Sequence, residues 1–134
     1  MIQLFYVFSD WGILALRLAL GAIFIAHGWP KVKDLRGTAE KFASMGFKPA
    51  KFWATLVAFL EFVGGIALLF GFLTQILAAL FAAQFIVIIL KLKRKKGLVD
   101  GYEFDLLILA ALLALLALGG GSASADSFFR LLLY

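Results

Sequence analysis

Residues 52–96 read FWATLVAFLEFVGGIALLFGFLTQILAALFAAQFIVIILKLKRKK. From Phe52 to Leu90 the only formal charge is Glu61. A helix of about 20 apolar residues crosses the hydrocarbon core of a bilayer, so this stretch is nearly two spans long. Gly71 to Gln75 interrupts it with a glycine and two polar residues. The reading is a tight helical hairpin, with one span over 52–73 and the next over 74–90. The run Lys91, Lys93, Arg94, Lys95, Lys96 then closes the second of these helices.

Working outward, an apolar stretch before the hairpin runs from Trp11 to Trp29 and ends at Pro30. Another follows it from Tyr102 to Leu118, after the turn signal Asp100-Gly101. The chain therefore reads as a single all-α domain over residues 1–134, an integral membrane four-helix bundle. Between spans one and two, Leu35 to Met45 carries Leu35, Ala39, Phe42 and Met45 at helical spacing, with Arg36, Glu40 and Lys41 between them. That pattern predicts a short amphipathic interfacial helix lying in the membrane surface with Phe42 and Met45 in the apolar layer. Gly46 and Pro49 end it. After span four comes GGGSASAD (119–126), a flexible polar loop, and an apolar tail from Ser127 to Tyr134 that reads as interfacial.

The totals agree with this reading. Of 134 residues, 64% are hydrophobic and 16% charged, and the mean hydropathy is +1.04. A soluble domain of this size needs more polar surface to cover its core. The net charge of +5 could suggest nucleic acid, but the cations flank apolar runs instead of interleaving with aromatics, so no nucleic-acid partner is expected. There are no cysteines and one histidine. Disulfides, thiol redox chemistry, iron–sulfur ligation, thioether haem attachment and bis-histidine haem ligation within one copy are thereby excluded. No covalent cofactor, metal site, phosphate loop or nucleophile triad is expected, and no catalytic residue can be assigned. The first ten residues lack Lys and Arg, unlike a secretory signal peptide.

Charge also orients the chain. The segment between spans one and two holds six Lys or Arg, and that between spans three and four holds five. The positive-inside rule puts both loops (30–51 and 91–101) in the cytoplasm of a plasma-membrane protein and both termini outside.

Charges within spans are expensive and usually paired inside the bundle. Arg17 and Glu61 lie on stripes rich in small residues (Arg17, Gly21, Phe24, Gly28; and Glu61, Gly64, Gly65, Leu68, Phe72) that let helices approach closely. The expectation is one buried cluster joining Arg17 to Glu61, with Gln84 of span three completing it. The bland reading is an ion pair that only fixes helix packing. His27 and Glu103 fall near the same ends of their spans and could pair, orienting the imidazole for proton exchange; a plain helix-end hydrogen bond would serve equally. Asp105, two residues from Glu103, points to another face, at the interface or a subunit contact. Asp126 could fold back over the bundle mouth toward Arg17, or Asp126 or Ser124 could cap a short helix. Membrane lipid is the one partner the composition demands, with the Lys91–Lys96 run touching anionic lipid.

Several of these pieces together resemble the DoxX family of membrane proteins. They are Arg17-Leu18-Ala19-Leu20-Gly21 through Phe24 to His27-Gly28 and Lys31; Gly46-Phe47 with Pro49; Glu61 with Gly64-Gly65, then Gly71 and Thr74; Gly101-Tyr102-Glu103; and Ser124-Ala125-Asp126. The resemblance implies a four-helix membrane fold and kinship with subunits of a thiosulfate:quinone oxidoreductase. It implies for some members an association with redox enzymes. Three functions fit. The first is a quinone-interacting membrane subunit using Arg17, His27, Glu61 and Gln84, with a redox partner protein supplying electrons. The second is a non-enzymatic scaffold or chaperone that anchors a partner on the basic loops. The third is a small lipid or solute handler, which would need a homo-oligomer to form a pore.

Overall fold

The computed structural model describes residues 2–129. Six α-helices follow one another: α1 (Ile2–Lys33), α2 (Leu35–Ser44), α3 (Ala50–Phe70), α4 (Thr74–Val87), α5 (Glu103–Leu118) and α6 (Ala125–Phe128). Four segments are long and apolar enough to cross a membrane: Phe8–Lys33, Ala50–Phe70, Thr74–Lys96 and Leu98–Leu118. The apolar tail beyond Phe129, with Arg130, lies outside the described residues.

Several span boundaries differ from the sequence reading by a few residues, and the ends of the first and third spans show why. The first helix does not stop at Pro30 but runs to Lys33. Proline lacks a donor but keeps its acceptor, and the Pro30 carbonyl takes the Asp34 N–H at 3.2 Å. The third span does not end at Leu90. It continues through a wider π turn at Ile88–Lys93 and a tight 3-10 turn at Arg94–Lys96, so the basic run is itself helical. A bend at Val99 and Asp100, where Asp100 takes φ 58°, then leads into α5.

The helices pair as α1 with α3 and α4 with α5. The α1–α3 contact is made by glycines. A Cβ on Gly21 would sit 2.9 Å from the Gly65 carbonyl, one on Gly65 2.9 Å from the Ile25 nitrogen, and one on Gly28 2.9 Å from the Glu61 carbonyl carbon. Backbone thus touches backbone over about two turns of α1, the small-residue packing that drives helix association in lipid. These contacts also set the register: Gly21 faces Gly65, and Gly28 faces Glu61 and Phe62.

Along α3 the buried residues are Ala54, Ala58, Glu61, Gly64, Gly65 and Leu68, one stripe of a 3.6-residue period. Phe59, Val63, Ile66 and Phe70 on the other face are exposed, as lipid-facing residues are. The core lies between the two helix pairs. Phe24 stacks on Phe81 with ring centroids 3.8 Å apart, Phe85 meets Phe24 edge-on at 5.8 Å, and Leu20, Leu68, Ile108, Leu112 and Leu115 complete it.

The short helix α2 forms where its periodicity places it. Asp34 caps it by accepting the Gly37 N–H at 2.9 Å. Its apolar face does not look into lipid, however: α2 packs along α3, Phe42 is buried there, and Met45 is only half-buried. The physical reason is register. Lys33 ends α1 only five residues past Gly28, so the first part of α3 extends beyond α1 and offers α2 a wall.

Candidate functional site

Glu61 sits on the buried stripe of α3 with only 4% of its surface exposed. One carboxylate oxygen accepts from Lys31 Nζ at 2.5 Å and the other from Gln84 Nε2 at 2.6 Å. Three spans thus converge on one carboxylate. Lys31 is half-buried, reaching in from the end of α1. Gln84 arrives from α4 one turn beyond Phe81. Its second amide atom, Oε1, is buried and has no hydrogen-bond partner. A buried acceptor without a donor costs on the order of 1–3 kcal/mol.

Arg17 does not join this cluster, contrary to the expectation from sequence. Its guanidinium donates to the Gly120 carbonyl at 2.6 Å, the Ala123 carbonyl at 2.7 Å and, more weakly, the Leu69 carbonyl at 3.3 Å. Glu61 lies eight residues before Leu69 on α3, roughly 12 Å along the axis at 1.5 Å per residue. The reason is register: α1 runs on to Lys33 and packs Gly21 against Gly65, which sets Arg17 against the far end of α3. At that end Arg17 serves the chain itself. It satisfies a last-turn carbonyl of α3 and brings positive charge to that helix's C-terminus.

The Gly-rich loop completes the same end. Asp126 is fully buried. Its two oxygens accept the N–H groups of Leu73 and Thr74 at 2.6 and 2.8 Å, and its own N–H donates to the Gly71 carbonyl at 2.9 Å. It therefore folds back over the bundle mouth as a cap for α4, placing negative charge at that helix's N-terminus. Ser124, not Asp126, caps α6, through the Ser127 N–H at 3.1 Å. Gly71, in the left-handed region at φ 70°, lies against both Arg17 and Ser124.

His27 and Glu103 do not pair. Both side chains are exposed, and His27 Nδ1 bonds the Ile23 carbonyl of its own helix at 2.8 Å. Asp105 is the carboxylate that goes inside. It is not left free for a subunit contact, being 5% exposed and paired with Lys93 Nζ at 2.7 Å. The signal was present, since Asp105, Ile108, Leu112 and Leu115 form one stripe and the other three are core residues. Lys31 likewise continues the stripe Arg17, Gly21, Phe24, Gly28 at spacings of four and three, so its inward placement was also readable.

The protein thus holds a polar cluster at Glu61, a second ion pair at Lys93–Asp105, and at the Arg17 end a network of backbone partners in which Thr74 Oγ1 is also buried without a hydrogen-bond partner. The apolar core around Phe24 and Phe81 lies between the first and the last. Two shallow surface depressions lie elsewhere, one against Lys51, Phe52, Thr55 and Leu56 and one against Asp10, Trp11, Leu14, Ser122 and Ala123.

Four apolar spans with buried carboxylates define a multi-pass helical membrane protein. The chain belongs to the DoxX family, whose model matches residues 12–94, from α1 through α4, and so includes Arg17, Lys31, Glu61 and Gln84. It is 35% identical to "Putative oxidoreductase CatD" of Bacillus subtilis over 87% of this chain and 86% of that protein. It is 43% identical to "Inner membrane protein YqjF" of Escherichia coli over 58% of this chain and 57% of that one. It is 35% identical to "Inner membrane protein YphA" of the same organism over 52% and 49%. No solved structure matches the chain. With these relatives and its four spans, the chain is a multi-pass protein of the plasma membrane.

Proposed function

We propose that this protein is the membrane-embedded, quinone-interacting subunit of an oxidoreductase system, with Glu61, Gln84 and Lys31 as the group that meets the carrier's ring oxygens. The observation that carries the reading is the unpartnered Gln84 Oε1 beside a carboxylate–ammonium pair within the apolar span. A quinol hydroxyl would supply the missing donor to Gln84 Oε1, and Lys31 has further N–H groups for a quinone carbonyl. Glu61 is placed to exchange the proton that accompanies electron transfer. The chain has no cysteine and brings no electron carrier of its own among its side chains, so a redox partner protein would deliver or remove the electrons. The name of CatD agrees with a redox setting.

The orientation belongs to the same proposal. The basic ends of α1, α3 and α4 would face the cytoplasm, with both termini outside. The apolar core around Phe24 and Phe81 argues against a solute path through a single copy; a pore would have to form between copies.

The test is solvent extraction and mass spectrometry of the purified protein and its variants. Quinone should be retained by the unaltered protein, and Glu61→Gln and Lys31→Met, which keep shape and remove charge, should lose most of it in a folded state. A protein that retains phospholipid alone would overturn the reading and favour a scaffold or lipid handler.

A further inference from the structure

The exposed face of α3 at its basic end carries a shallow, largely open groove lined by Lys51, Phe52, Thr55 and Leu56. These residues form two adjacent rows at a spacing of four, Lys51 with Thr55 and Phe52 with Leu56. The Thr55 hydroxyl is turned back, donating to the Lys51 carbonyl at 2.7 Å, so the wall stays apolar. Phe52 and Leu56 are 56% and 46% exposed, and no other helix covers them. Lys51 stands at the mouth. The groove climbs from that ammonium into the apolar span over five residues, roughly 7.5 Å.

The surroundings are cationic. Lys91 Nζ reaches the Gly46 carbonyl at 3.5 Å and lies 4.4 Å above the Phe47 ring. That contact brings the run 91–96 to the same end of the bundle as the segment 46–51. The two segments hold seven Lys or Arg and no Asp or Glu, and of the seven only Lys93 is paired with a carboxylate. Trp53, whose Nε1 donates to the Lys48 carbonyl at 3.3 Å, stands at the same level, as an interfacial anchor does.

We propose that this groove is a binding site for an anionic phospholipid, with its phosphate at Lys51 and Lys48 and one acyl chain along Phe52 and Leu56. The charge asymmetry selects an anionic headgroup over a zwitterionic one, by about fivefold for each basic residue near it. The apolar wall selects a chain. An acidic peptide lying in the groove would carry backbone polar groups into the span with nothing to satisfy them.

The experiment is native mass spectrometry of the full chain in detergent, with dioleoyl phosphatidylglycerol and dioleoyl phosphatidylcholine as matched probes. The unaltered protein should retain the glycerol lipid in preference. Lys51→Gln should weaken it about fivefold and leave the choline lipid unchanged, while Leu56→Gln should weaken both. Equal retention of the two lipids would overturn the proposal. So would loss of the preference in the triple variant Arg94→Gln, Lys95→Gln, Lys96→Gln together with no effect of Lys51→Gln, because a general field and not the groove would then be selecting. Inorganic phosphate should not displace the lipid, and neither should a polyglutamate peptide; displacement by either would mean a bare anion site or a protein-docking surface. Lys51 is exposed, so an unchanged melting temperature of Lys51→Gln would show that its effect is not misfolding.

Discussion

The Arg17 end of the bundle and the Glu61 cluster use the same kinds of residue to opposite effect. At the Arg17 end the charges meet backbone. Three carbonyls take the guanidinium, and two N–H groups fill the Asp126 carboxylate. Each charge also complements a helix terminus, at the end of α3 or the start of α4. At Glu61 the charges meet side chains. One partner, Lys31, is half-exposed, and the other, Gln84, keeps an empty acceptor. A network whose charges are held by backbone partners holds a fold together, even with Thr74 Oγ1 buried and unpartnered beside it. A group of side chains held to one another can turn a partner over to a ligand or a proton. The difference lies in what fills the hydrogen bonds, not in the presence of buried charge.

The largest expected effect follows from the Arg17 end. Arg17→Ala would leave the carbonyls of Leu69, Gly120 and Ala123 without their donor. Buried unpaired groups cost about 1–3 kcal/mol each, so a loss of about 3–5 kcal/mol is expected, read as a large fall in melting temperature in detergent. A loss under about 1 kcal/mol would mean that water replaces the guanidinium at this end, and the contrast between the two regions would weaken.

A double-mutant cycle sharpens the comparison further. Lys31→Met and Glu61→Gln should be coupled by about 1–3 kcal/mol, because the two residues are in contact. Arg17→Ala and Glu61→Gln should add within about 0.5 kcal/mol, because their partners are separate. Coupling between Arg17 and Glu61 would mean that the network at the bundle mouth extends through the Phe24–Phe81 core.

How much of this was legible in the sequence depends on whether periodicity or register decides the question. The four spans, the hairpin at Gly71 and the α2 helix follow from hydropathy and helical spacing, which are local. So does the link between Glu61 and Gln84, since both are polar residues near mid-span. The partner of Arg17 depended on how far α1 slides along α3. That is fixed by Gly21 packing against Gly65 and Gly28 against Glu61 and Phe62, and by α1 continuing past Pro30. Hydropathy is blind to both. The choice between Glu103 and Asp105 needed only the stripe through Ile108, Leu112 and Leu115. There the proximity of Glu103 to the span's end outweighed the face it lies on.

A smaller effect is expected at Gly71. Its φ of 70° suits glycine, and a Cβ there would lie 2.9 Å from Arg17 Nη1 and closer still to Ser124. Gly71→Ala should destabilise by about 1–3 kcal/mol through backbone strain and displacement of the Arg17 contacts. Measured in the Arg17→Ala background, the cost should shrink, since part of the clash is gone. An undiminished cost would assign the whole effect to the backbone conformation and to Ser124.

The smallest effect is expected at His27, one turn before Lys31 on α1 but on the exposed face. Its Nδ1–H donates to the Ile23 carbonyl four residues back, a bond internal to the helix that links it to no other span. Its ring is not part of the core, and Glu103, the partner its depth suggested, is exposed on α5. Surface substitutions away from such links usually fall within about 0.5 kcal/mol. His27→Ala and Glu103→Gln should therefore each leave the melting temperature nearly unchanged, and the double variant should be additive. Quinone retention should be unaffected, whereas Lys31→Met should reduce it. If His27→Ala instead lowers retention in a protein of unchanged stability, the carrier approaches across the lipid-facing side of α1. The site would then extend from the Glu61 cluster onto the helix surface, with His27 rather than Lys31 as its outermost polar contact.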